Sequence, residues 1–502
     1  MRVTMQRIVS IAILAALTVG IAVLIWKGEG TERGKIGDKP GYAVVGELPD
    51  ALLRQRWVCD NVVATSDSVW VVGSLDSESP PAELGRDADE IPDLSSLVKG
   101  SQKRQPTTIS NMYGASDVGG VQTTLSRLTP DGNFRVMATL PGNACLRVLP
   151  DSDTLLLLTD LEVPEDKDNR QLSDGSPVGQ SIILRSSDNG DSWHWVSTGM
   201  MVEVEPYSGP LTDLNFYSDQ EVWSWGMERY YNSDGWPRQE PDGNYITELG
   251  YSDDQGTTSV RITSDKPIKV TQAYIKSLLP AEATDLTMGT TLKDSRFVVQ
   301  TSSLTAYAWV SQPLSYRQND ERSSMVVTSR AKLVRPSTDA SWQVSDVTRT
   351  PGLRIRHVKT GENGEAHAII RSDSDGWQMA RLAPDTGEWV GRHDLPELMP
   401  RWLFDVHRSV SHFWSNGRYQ VVNLHESHDL PQLIPFYSHN ASFYTTSHFY
   451  TDDGGASWHQ LAIPGNRDAV LGMENHGDRL FWSKGRWYED KGPGVWSYDL
   501  SQ

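Results

Sequence analysis

Two stretches of the chain hold side chains of the types that bind ligands, and the first is rich in histidine. His425 and His428 lie three residues apart, and Asp429, Tyr437 and His439 follow them. Imidazole nitrogens and carboxylates are ligands of zinc, so the two histidines could hold the metal together with Asp429 or His439 if this loop folds back. Histidines along a strand are more often half-buried packing residues. We therefore predict neither a metal nor a cofactor, and keep His425, His428 and Tyr437 as candidates for ligand binding.

The second stretch, residues 227–245, is aromatic. It contains Tyr230, Tyr231, Trp236 and the cationic Arg238. Large rings beside a guanidinium suit stacking on sugars or gripping a protein surface, because they bury much area while keeping a polar handle. The same rings could instead pack the loop onto the body of the protein. We predict ligand binding for these four residues and leave the packing role open.

A repeated reverse turn is the element that must position these stretches, and residues 186–193 contain its best copy. Asp188 can accept hydrogen bonds from backbone N–H groups further on, while Asn189 and Gly190 tolerate the positive φ of a tight turn. The serine hydroxyls can close further backbone bonds. The flanking residues are apolar and β-prone, which is typical of strands. The stretch therefore predicts two strands joined by a hydrogen-bonded turn.

The turn recurs along the chain, which indicates an internal repeat. The pattern Ser/Thr-x-Asp-x-Gly-x-Ser/Thr-Trp is complete twice, in Ser186, Asp188, Gly190, Ser192 and Trp193 and again in Thr451, Asp453, Gly455, Ser457 and Trp458. A third copy at 252–258 has Ser259 in place of the tryptophan, and weaker relatives begin at Thr129, Ser337 and Ala383. An apolar pair of strands precedes each turn. Each repeat is therefore predicted to have four strands, with the turn between the third and the fourth.

This ordered recurrence resembles the Asp-box (BNR-repeat) β-propellers of the sialidase-like superfamily. The resemblance covers roughly residues 41–502 and is strict at the two complete turns. It implies an all-β fold in which the turns are structural and lie at the blade periphery, away from the ligand-binding face.

The catalytic pattern of that superfamily is not matched. The family implies an arginine triad, a tyrosine–glutamate pair, an aspartic acid and an Arg-Ile-Pro-type motif in the first blade. The nearest sequence here, Leu353-Arg354-Ile355-Arg356, lies in the middle of the chain and lacks the proline. Glycoside hydrolysis needs two carboxylates about 5–9.5 Å apart, and the sequence does not pair them.

The number of blades follows from the two ends of the repeat region. Six repeats contain a turn. A seventh, residues 469–500, stops after its third strand. Residues 42–49 resemble the predicted fourth strand at 134–141, with Leu-Pro at the same offset. We therefore predict seven blades, with six as the alternative, and an N-terminal strand that completes the last blade. Closing the ring in this way removes exposed sheet edges.

Long insertions are predicted on the face opposite the turns, between the second and third strands. Insertions gathered on one face of a repeat protein usually mark its binding face. The first is rich in proline, serine and acidic residues and is predicted to be mobile. The predicted loops are 76–120, 160–180, 227–245, 311–324 and 425–441.

The chain has two cysteines, Cys59 and Cys145, and each is followed eight residues later by an aspartate. If both head the first strand of neighbouring repeats, their Cα atoms could come within the ~7 Å that a disulfide needs. Two buried free thiols are the alternative.

The N-terminus carries a candidate membrane anchor. Residues 8–26 are uncharged, and nineteen helical residues would span about 28 Å, close to the hydrocarbon thickness of a bilayer. A cleaved signal peptide, the alternative, usually has a shorter apolar core and a small-x-small site. We predict an uncleaved signal-anchor at 1–27, a flexible tether at 28–40 and a propeller at 41–502. The propeller is expected outside the cytoplasm, on a bacterial-type inner membrane and facing the periplasm or the cell exterior.

Charge and missing motifs narrow the function. A formal net charge of −19 argues against nucleic acid as a partner, and the sequence has no phosphate-binding loop and no nucleophile elbow. We predict a binding or scaffolding module with a protein partner, either an envelope assembly factor or an immunity-type protein. The alternative is a sialidase-like glycoside hydrolase or a carbohydrate-binding protein.

The predicted topology can be checked with a reporter fused after Gln502 that is active only in an oxidising compartment. We expect an active reporter, because long translocated domains respond little to flanking charges. An inactive reporter that is accessible from the cytoplasm would contradict the predicted orientation.

Overall fold

A computed structural model of the protein describes most of the repeat region. The described residues are 41–46, 62–75, 91–97, 109–111, 114–116, 122–141, 144–149, 152–159, 182–196, 214–218, 220–225, 236–237, 239, 241–255, 260–288, 295–319, 321–361, 364–372, 376–397, 405–429, 442–461, 463, 470–473, 477–483 and 495–502.

The described chain is almost entirely β-structure. The strands of the first half are β1 (Tyr42–Gly46), β2 (Val62–Ala64), β3 (Val69–Leu75), β4 (Ile109–Asn111), β5 (Gly114–Ser116), β6 (Gln122–Leu128), β7 (Phe134–Pro141), β8 (Ala144–Val148), β9 (Leu155–Thr159), β10 (Ile182–Ser186), β11 (His194–Val196), β12 (Leu214–Phe216), β13 (Val222–Trp225), β14 (Tyr245–Ser252) and β15 (Val260–Ser264). A 3-10 helix, Leu94–Leu97, precedes β4, and the α-helix α1 (Gln272–Leu278) follows β15.

The second half continues the same alternation of strands and turns. Its strands are β16 (Thr284–Met288), β17 (Arg296–Ser302), β18 (Thr305–Gln318), β19 (Glu321–Val334), β20 (Gln343–Pro351), β21 (Leu353–Thr360), β22 (Ala366–Ser372), β23 (Trp377–Ala383), β24 (Glu388–Asp394), β25 (Asp405–Ser415), β26 (Gln420–Asp429), β27 (Ser442–Thr451), β28 (His459–Leu461), β29 (Val470–Met473), β30 (Arg479–Ser483) and β31 (Val495–Asp499).

These strands form seven antiparallel blades, which confirms the predicted all-β, seven-bladed propeller. Blades 1 to 3 are β2-β3-β6-β7, β8-β9-β10-β11 and β12-β13-β14-β15. Blade 4 is β17-β18-β19-β20 with β16 added beside β18, blade 5 is β21 to β24, and blade 6 is β25 to β28. Blade 7 is β29-β30-β31 with β1 at its outer edge. Seven hydrophobic clusters pack neighbouring blades together, one at each seam.

The N-terminal strand joins the two ends of the chain. β1 pairs antiparallel with β31, with Tyr42 opposite Tyr498 and Val44 opposite Trp496. The ring of Tyr42 lies 4.5 Å from that of Tyr498 and 5.8 Å from that of Trp482. This pairing gives blade 7 its fourth strand, so the first described strand and the last lie in one sheet.

The turns between third and fourth strands are held by the predicted aspartates. The Oδ1 atom of Asp188 accepts hydrogen bonds from the Ser186 hydroxyl (2.8 Å) and from the backbone N–H of Ser192 (2.9 Å). Asn189 and Gly190 have φ angles of 54° and 82°, the left-handed region expected for them. The turn of blade 6 repeats these contacts, because Asp453 accepts from the Thr451 hydroxyl at 2.7 Å and from the N–H of Ser457 at 2.9 Å. We call these segments the aspartate turns, and the side of the ring that carries them the turn face.

Each aspartate turn also reaches the preceding blade. Gly190 of blade 2 lies directly against Trp70 of blade 1, so that a Cβ at this glycine would overlap the indole ring. The indole N–H of Trp70 donates to the Asn189 side chain at 3.1 Å. Arg127 of blade 1 donates to the Asn189 carbonyl at 2.9 Å and forms an ion pair with Asp191 at 2.7 Å.

The seam between blades 4 and 5 has the same design with different residues. Gly387 in the turn of blade 5 lies against the ring of Tyr307, whose hydroxyl donates to the Asp385 carbonyl at 2.8 Å. Arg330 donates to the Thr386 carbonyl at 2.8 Å and forms an ion pair with Glu388. In both seams a glycine contacts an aromatic ring, and an arginine contacts a turn carbonyl and a turn carboxylate. The turns therefore join blades as well as strands.

Three of the predicted loops are wrong in whole or in part. Residues 311–324 belong largely to the long strands β18 and β19, and β26 continues through His425 to Asp429. The insertion 76–120 includes packed structure, since Ile91 and Leu94 are buried in the clusters that join blade 1 to its neighbours. Long antiparallel ladders satisfy their backbone hydrogen bonds internally, so these segments need not be loops.

The candidate disulfide and the predicted membrane anchor involve residues that the structure does not describe. Cys145 is disulfide-bonded, and Cys59, the other cysteine of the sequence, lies outside the described residues. The predicted anchor and tether, residues 1–40, also lie outside them. Where the structure does describe the chain, it contains no helix long and apolar enough to cross a membrane.

The seam contact can be tested with two glycine-to-alanine variants. Gly132 and Gly190 have nearly the same φ, 80° and 82°, but only Gly190 has a neighbour that an added Cβ would meet. Gly132→Ala should cost about 1–2 kcal/mol of stability through the left-handed backbone alone. Gly190→Ala should cost about 1–3 kcal/mol more, because the methyl overpacks the seam. Equal losses in denaturant unfolding would show that the Trp70 contact does not hold the blades together.

Candidate functional site

The described strands of blade 5 are shorter than the long strands of its two neighbours, and we call the region above them, between the taller strands, the cleft. On the side opposite the turn face, which we call the upper face, β18 and β19 of blade 4 have 14 residues each. On the other side, β25, β26 and β27 of blade 6 have 11, 10 and 10 residues. The three inner strands of blade 5 have only eight, seven and seven residues. Blade 5 is thus a low floor between two taller blades.

Hydrogen bonds between the blades fix their relative heights. The Thr328 hydroxyl of β19 donates to the carbonyl of Leu353, the first residue of β21, at 2.5 Å. The indole N–H of Trp377, the first residue of β23, donates to the Arg408 carbonyl of β25 at 2.9 Å. The strands of blades 4 and 6 therefore continue upward beyond the point where blade 5 ends.

Arginine side chains gather at the top of blade 5 around one tryptophan. Arg354, Arg371 and Trp377 lie opposite one another on β21, β22 and β23, so they form a row across the sheet. A β-bulge between Ile355 and His357 places the additional Arg356 in the same region. The guanidinium carbons of Arg356 and Arg371 lie 6.0 and 5.8 Å from the centre of the Trp377 ring.

The burial of these residues distinguishes Trp377, which supports the site, from the arginines that can contact a ligand. Trp377 is 4% exposed and belongs to the hydrophobic cluster between blades 5 and 6. Arg371 is exposed, whereas Arg354 and Arg356 are half-buried. The ring is therefore a platform that orients guanidinium groups through cation–π contact rather than a surface that stacks on a ligand. Arg371 is the exposed member of this set, so its guanidinium is the one accessible to an anion.

Blade 6 supplies an ion pair to the same seam. Arg408 and Glu426 lie opposite each other on β25 and β26, and the Arg408 Nε donates to the Glu426 Oε1 at 2.6 Å. The Arg408 side chain is 7% exposed and that of Glu426 is fully buried. Removing one partner would leave an uncompensated buried charge, which typically costs about 3–5 kcal/mol. The pair is therefore a rigid part of the cleft wall.

The described side chains of the seam carry an excess of positive charge, although the protein as a whole is strongly acidic. Charged side chains are described near the upper ends of the inner three strands of blades 5 and 6. Four are arginines (354, 356, 371 and 408) and one is a carboxylate, Glu426. One carboxylate is too few for a general acid and its partner. The described arrangement can bind an anion, and these side chains alone do not form a glycosidase pair.

Two histidines behind the seam, the fully buried His448 and the half-buried His357, are neutral near pH 7. Burial lowers the pKa of His448 to about 3, with a smaller effect from His412, and Asn423 donates to its ring at 2.7 Å. Burial also lowers the pKa of His357 to about 3, and the positive charge of Arg356 acts in the same direction. His357 contacts the Val410 carbonyl of blade 6 at 3.2 Å. These imidazoles serve packing and hydrogen bonding near neutral pH.

Of the sequence-predicted ligand-binding residues, the structure describes the side chains of two, Trp236 and His425. Trp236 is 7% exposed and packs with Ile275 and Leu314 in a small layer formed by α1 and the upper part of blade 4. His425 lies on β26, and its Nδ1 is 3.0 Å from the Thr446 hydroxyl. His428 is also a β26 residue, but its side chain lies outside the described set, as do Tyr230, Tyr231, Arg238 and Tyr437.

A tyrosine–glutamate contact does occur, but on the wrong face for binding in the cleft. Tyr251 donates to Glu221, and Arg335 forms an ion pair with Glu221 at 2.6 Å. Arg335 also lies 4.6 Å from the centre of the Trp342 ring. Burial and the hydrogen bond to Glu221 raise the pKa of Tyr251 to about 12. The cluster packs the aspartate turns of blades 3 and 4 together, so its role is structural.

The residues that sequence reasoning missed are Arg371, Trp377, Arg408 and Glu426. Arg354 and Arg356 are recognised in the sequence only as part of an incomplete Arg-Ile-Pro-type motif. The useful signal was the arginine content at the ends of strands in the fifth and sixth repeats. Its meaning depends on cross-strand register, which places residues from five strands in one seam.

Comparisons with solved structures find propellers of low similarity. Polysaccharide lyase Uly1 is 9% identical, covers 89% of this chain and 92% of its own, and has a TM-score of 0.37. The phage phi92 endosialidase is 10% identical over 92% of this chain and 71% of its own, with a TM-score of 0.31. The α-L-arabinofuranosidase Arb93A of Fusarium graminearum is 13% identical over 71% of this chain and 92% of its own, with a TM-score of 0.29. No protein-family model matches the sequence, and no curated protein matches it. Similarity at this level carries no argument about activity.

Acid should destabilise the protein through His448. Its pKa is about 6.5 when unfolded and about 3 when folded, so the unfolded chain binds the proton first as the pH falls. The stability is complete above pH 6.5 and should decline by about 1.4 kcal/mol per pH unit between pH 6.5 and 3 from this group. Denaturant unfolding at several pH values measures the slope. His448→Gln should make it shallower, because it removes the group that takes up the proton on unfolding. An unchanged slope in His448→Gln would contradict this assignment.

Proposed function

We propose that the protein binds an acidic saccharide at the seam between blades 5 and 6. The observation that carries the proposal is the row of Arg354, Arg371 and Trp377 facing the buried Arg408–Glu426 pair. A guanidinium binds a carboxylate or sulfate through two parallel hydrogen bonds, which gives both strength and orientation. The described residues of this cleft include an exposed arginine and little exposed aromatic surface, and a sugar that carries such an anionic group fits that chemistry.

The rigidity of the seam supports recognition of a fixed anion. Trp377 is held by its hydrogen bond to the Arg408 carbonyl, and it in turn lies beside two guanidinium groups. Arginines held this way lose less conformational entropy on binding than free side chains do. The buried ion pair of blade 6 fixes the adjoining wall. These features favour selective binding over general attraction of anions by a loose cationic patch.

Carbohydrate binding replaces a protein partner as the preferred function. The aromatic stretch at 227–245 suits a sugar or a protein surface, and its described aromatics are the core residue Trp236 and the half-buried Tyr245, so it does not favour a protein partner. The proposal also takes the aspartate turns as those of the Asp-box superfamily, on the hydrogen bonds of Asp188 and Asp453. We also propose that the protein lies outside the cytoplasm and is anchored by residues 1–27. This part of the proposal rests on the sequence alone.

Binding is preferred to hydrolysis because the described seam offers one carboxylate, and it is already paired with Arg408. A glycosidase would need a second acid at a suitable distance. If the protein cleaved an acidic glycan, it would be a hydrolase rather than a binding protein, and the same residues would bind the substrate.

The proposal is tested by calorimetric titration with 3′-sialyllactose, trigalacturonate and a heparin-derived tetrasaccharide, with maltotriose as the neutral control. We expect at least one acidic glycan to bind and maltotriose not to bind. Arg371→Gln should weaken binding roughly tenfold or more, because it removes a charge-assisted hydrogen bond.

Arg381→Gln is the matched control. Arg381 is an exposed arginine of the same blade that lies toward the turn face and pairs with Glu365 at 3.3 Å. This variant should bind like the wild type. Absence of binding by every acidic glycan, or equal weakening by both variants, would overturn the proposed site. Assaying the same mixtures for new reducing ends separates binding from hydrolysis.

A further inference from the structure

We propose that the ligand is a polymer, and that a second anion subsite lies on the blade 4 hairpin at Arg317 and Arg322. This inference rests on the proposed function, because it extends the site from Arg371, on the blade 6 side of blade 5, across the top of blade 5 to the blade 4 hairpin. The ligand class it names is a chain of acidic sugar units rather than a single terminal sugar.

The register of blade 4 determines which side chains face the cleft. Ser311 contacts the backbone of Ile355 in blade 5, with its Oγ accepting from the Ile355 N–H at 3.0 Å. Thr328 lies opposite Ser311 and also contacts blade 5. The β18–β19 ladder has no register shift from Thr305 to Gln318. Side chains alternate between the faces of a strand, so Arg317 and Arg322 lie on the same face as Ser311 and Thr328.

The opposite face of this hairpin is already covered. Leu314 and Val327 are buried with Val270 and Ile275 in the layer that contains α1. Gln312 is fully buried there and accepts from the backbone N–H of Val270 at 2.8 Å. The packed layer supports the hairpin from behind. The cleft face is left with exposed or half-buried side chains and can receive a ligand.

The two arginines form a like-charged cross-strand pair. Arg317 lies directly opposite Arg322, and both are exposed. Like charges in this arrangement destabilise an antiparallel sheet. Asp285 is 3.5 Å from the Arg317 Nε in an ion pair with both side chains mostly exposed, so it offsets the repulsion only weakly. An anionic group of a bound glycan between the arginines would relieve the repulsion.

The spacing of the two subsites requires a long ligand. Six residues separate Thr328, at the level of the blade 5 floor, from Arg322 near the tip of the hairpin. At about 3.4 Å per residue, the two ends of this wall lie up to roughly 20 Å apart. A monosaccharide bound at the level of the floor does not span that distance. A chain of several acidic sugars can contact both ends at once, with the second contact gaining from its high effective concentration.

The test uses oligogalacturonates of two and eight units, titrated into the full chain and into two variants. For the wild type we expect the octamer to bind at least tenfold more tightly than the dimer. Arg317→Gln/Arg322→Gln should remove this gain while leaving dimer affinity within twofold of wild type. Arg371→Gln should weaken both oligomers. Thermal unfolding of the rim variant should be unchanged or slightly improved, because a like-charged pair has been removed.

The outcomes distinguish this inference from the proposed function. If the dimer and the octamer bind equally, or the rim variant keeps the full gain with length, the polymer inference is wrong and the floor site stands. If neither oligomer binds the wild type, the polymer inference fails with this chemistry, and the floor site is judged by the sialyl and sulfated glycans described above. If the rim variant loses dimer binding as strongly as octamer binding, the two ends are not separate subsites.

Discussion

A turn glycine packed against the preceding blade sets the spacing between blades 1 and 2, blades 4 and 5, and blades 5 and 6. An aspartate turn is a local device, in which a carboxylate such as that of Asp188 accepts nearby N–H and hydroxyl groups. The hydrogen bonds from Ser192, supported by Ser186, lower the pKa of Asp188 to about 2 and keep it ionised. The folded turn then presents a glycine without a Cβ to Trp70, and Gly387 does the same for Tyr307. The hydrogen bonds within the turn therefore fix the position of the glycine, and the glycine contact fixes the distance between the two blades.

That spacing frees the upper face for variation. Since the seams are joined at the turn face and by one hydrophobic cluster each, strand length on the other face can change from blade to blade without opening the ring. Blades 4 and 6 use this freedom to rise above blade 5, and the floor between them gathers arginine at strand ends. The aspartate turns carry the fold, and the candidate site lies at the opposite ends of the same strands. An acidic protein surface around such a site would oppose anions in general, so binding there depends on specific guanidinium contacts.

The sequence predicted the architecture better than the site, and the reason is physical. The turn is a short pattern whose residues all act on one another, and its recurrence shows the period directly. The partner of β31 could be found because residues 42–49 resemble another fourth strand. The seam could not be found in this way, since Arg354, Arg371 and Trp377 become neighbours only through strand register. The hairpin at 311–324 was taken for a loop because Pro313 and several serines weaken the strand pattern. Trp236 shows the opposite error, because an aromatic residue that suits a ligand also suits a core.

The central claim is that an acidic saccharide lies in the cleft above blade 5. A crystal structure of the protein soaked or grown with octagalacturonate tests it most directly. The account predicts a carboxylate within hydrogen-bonding distance of the Arg371 guanidinium, and sugar units that continue along the blade 4 hairpin toward Arg322. Ordered glycan bound elsewhere, on the turn face or in the layer around Trp236, with the cleft above blade 5 empty, would contradict it.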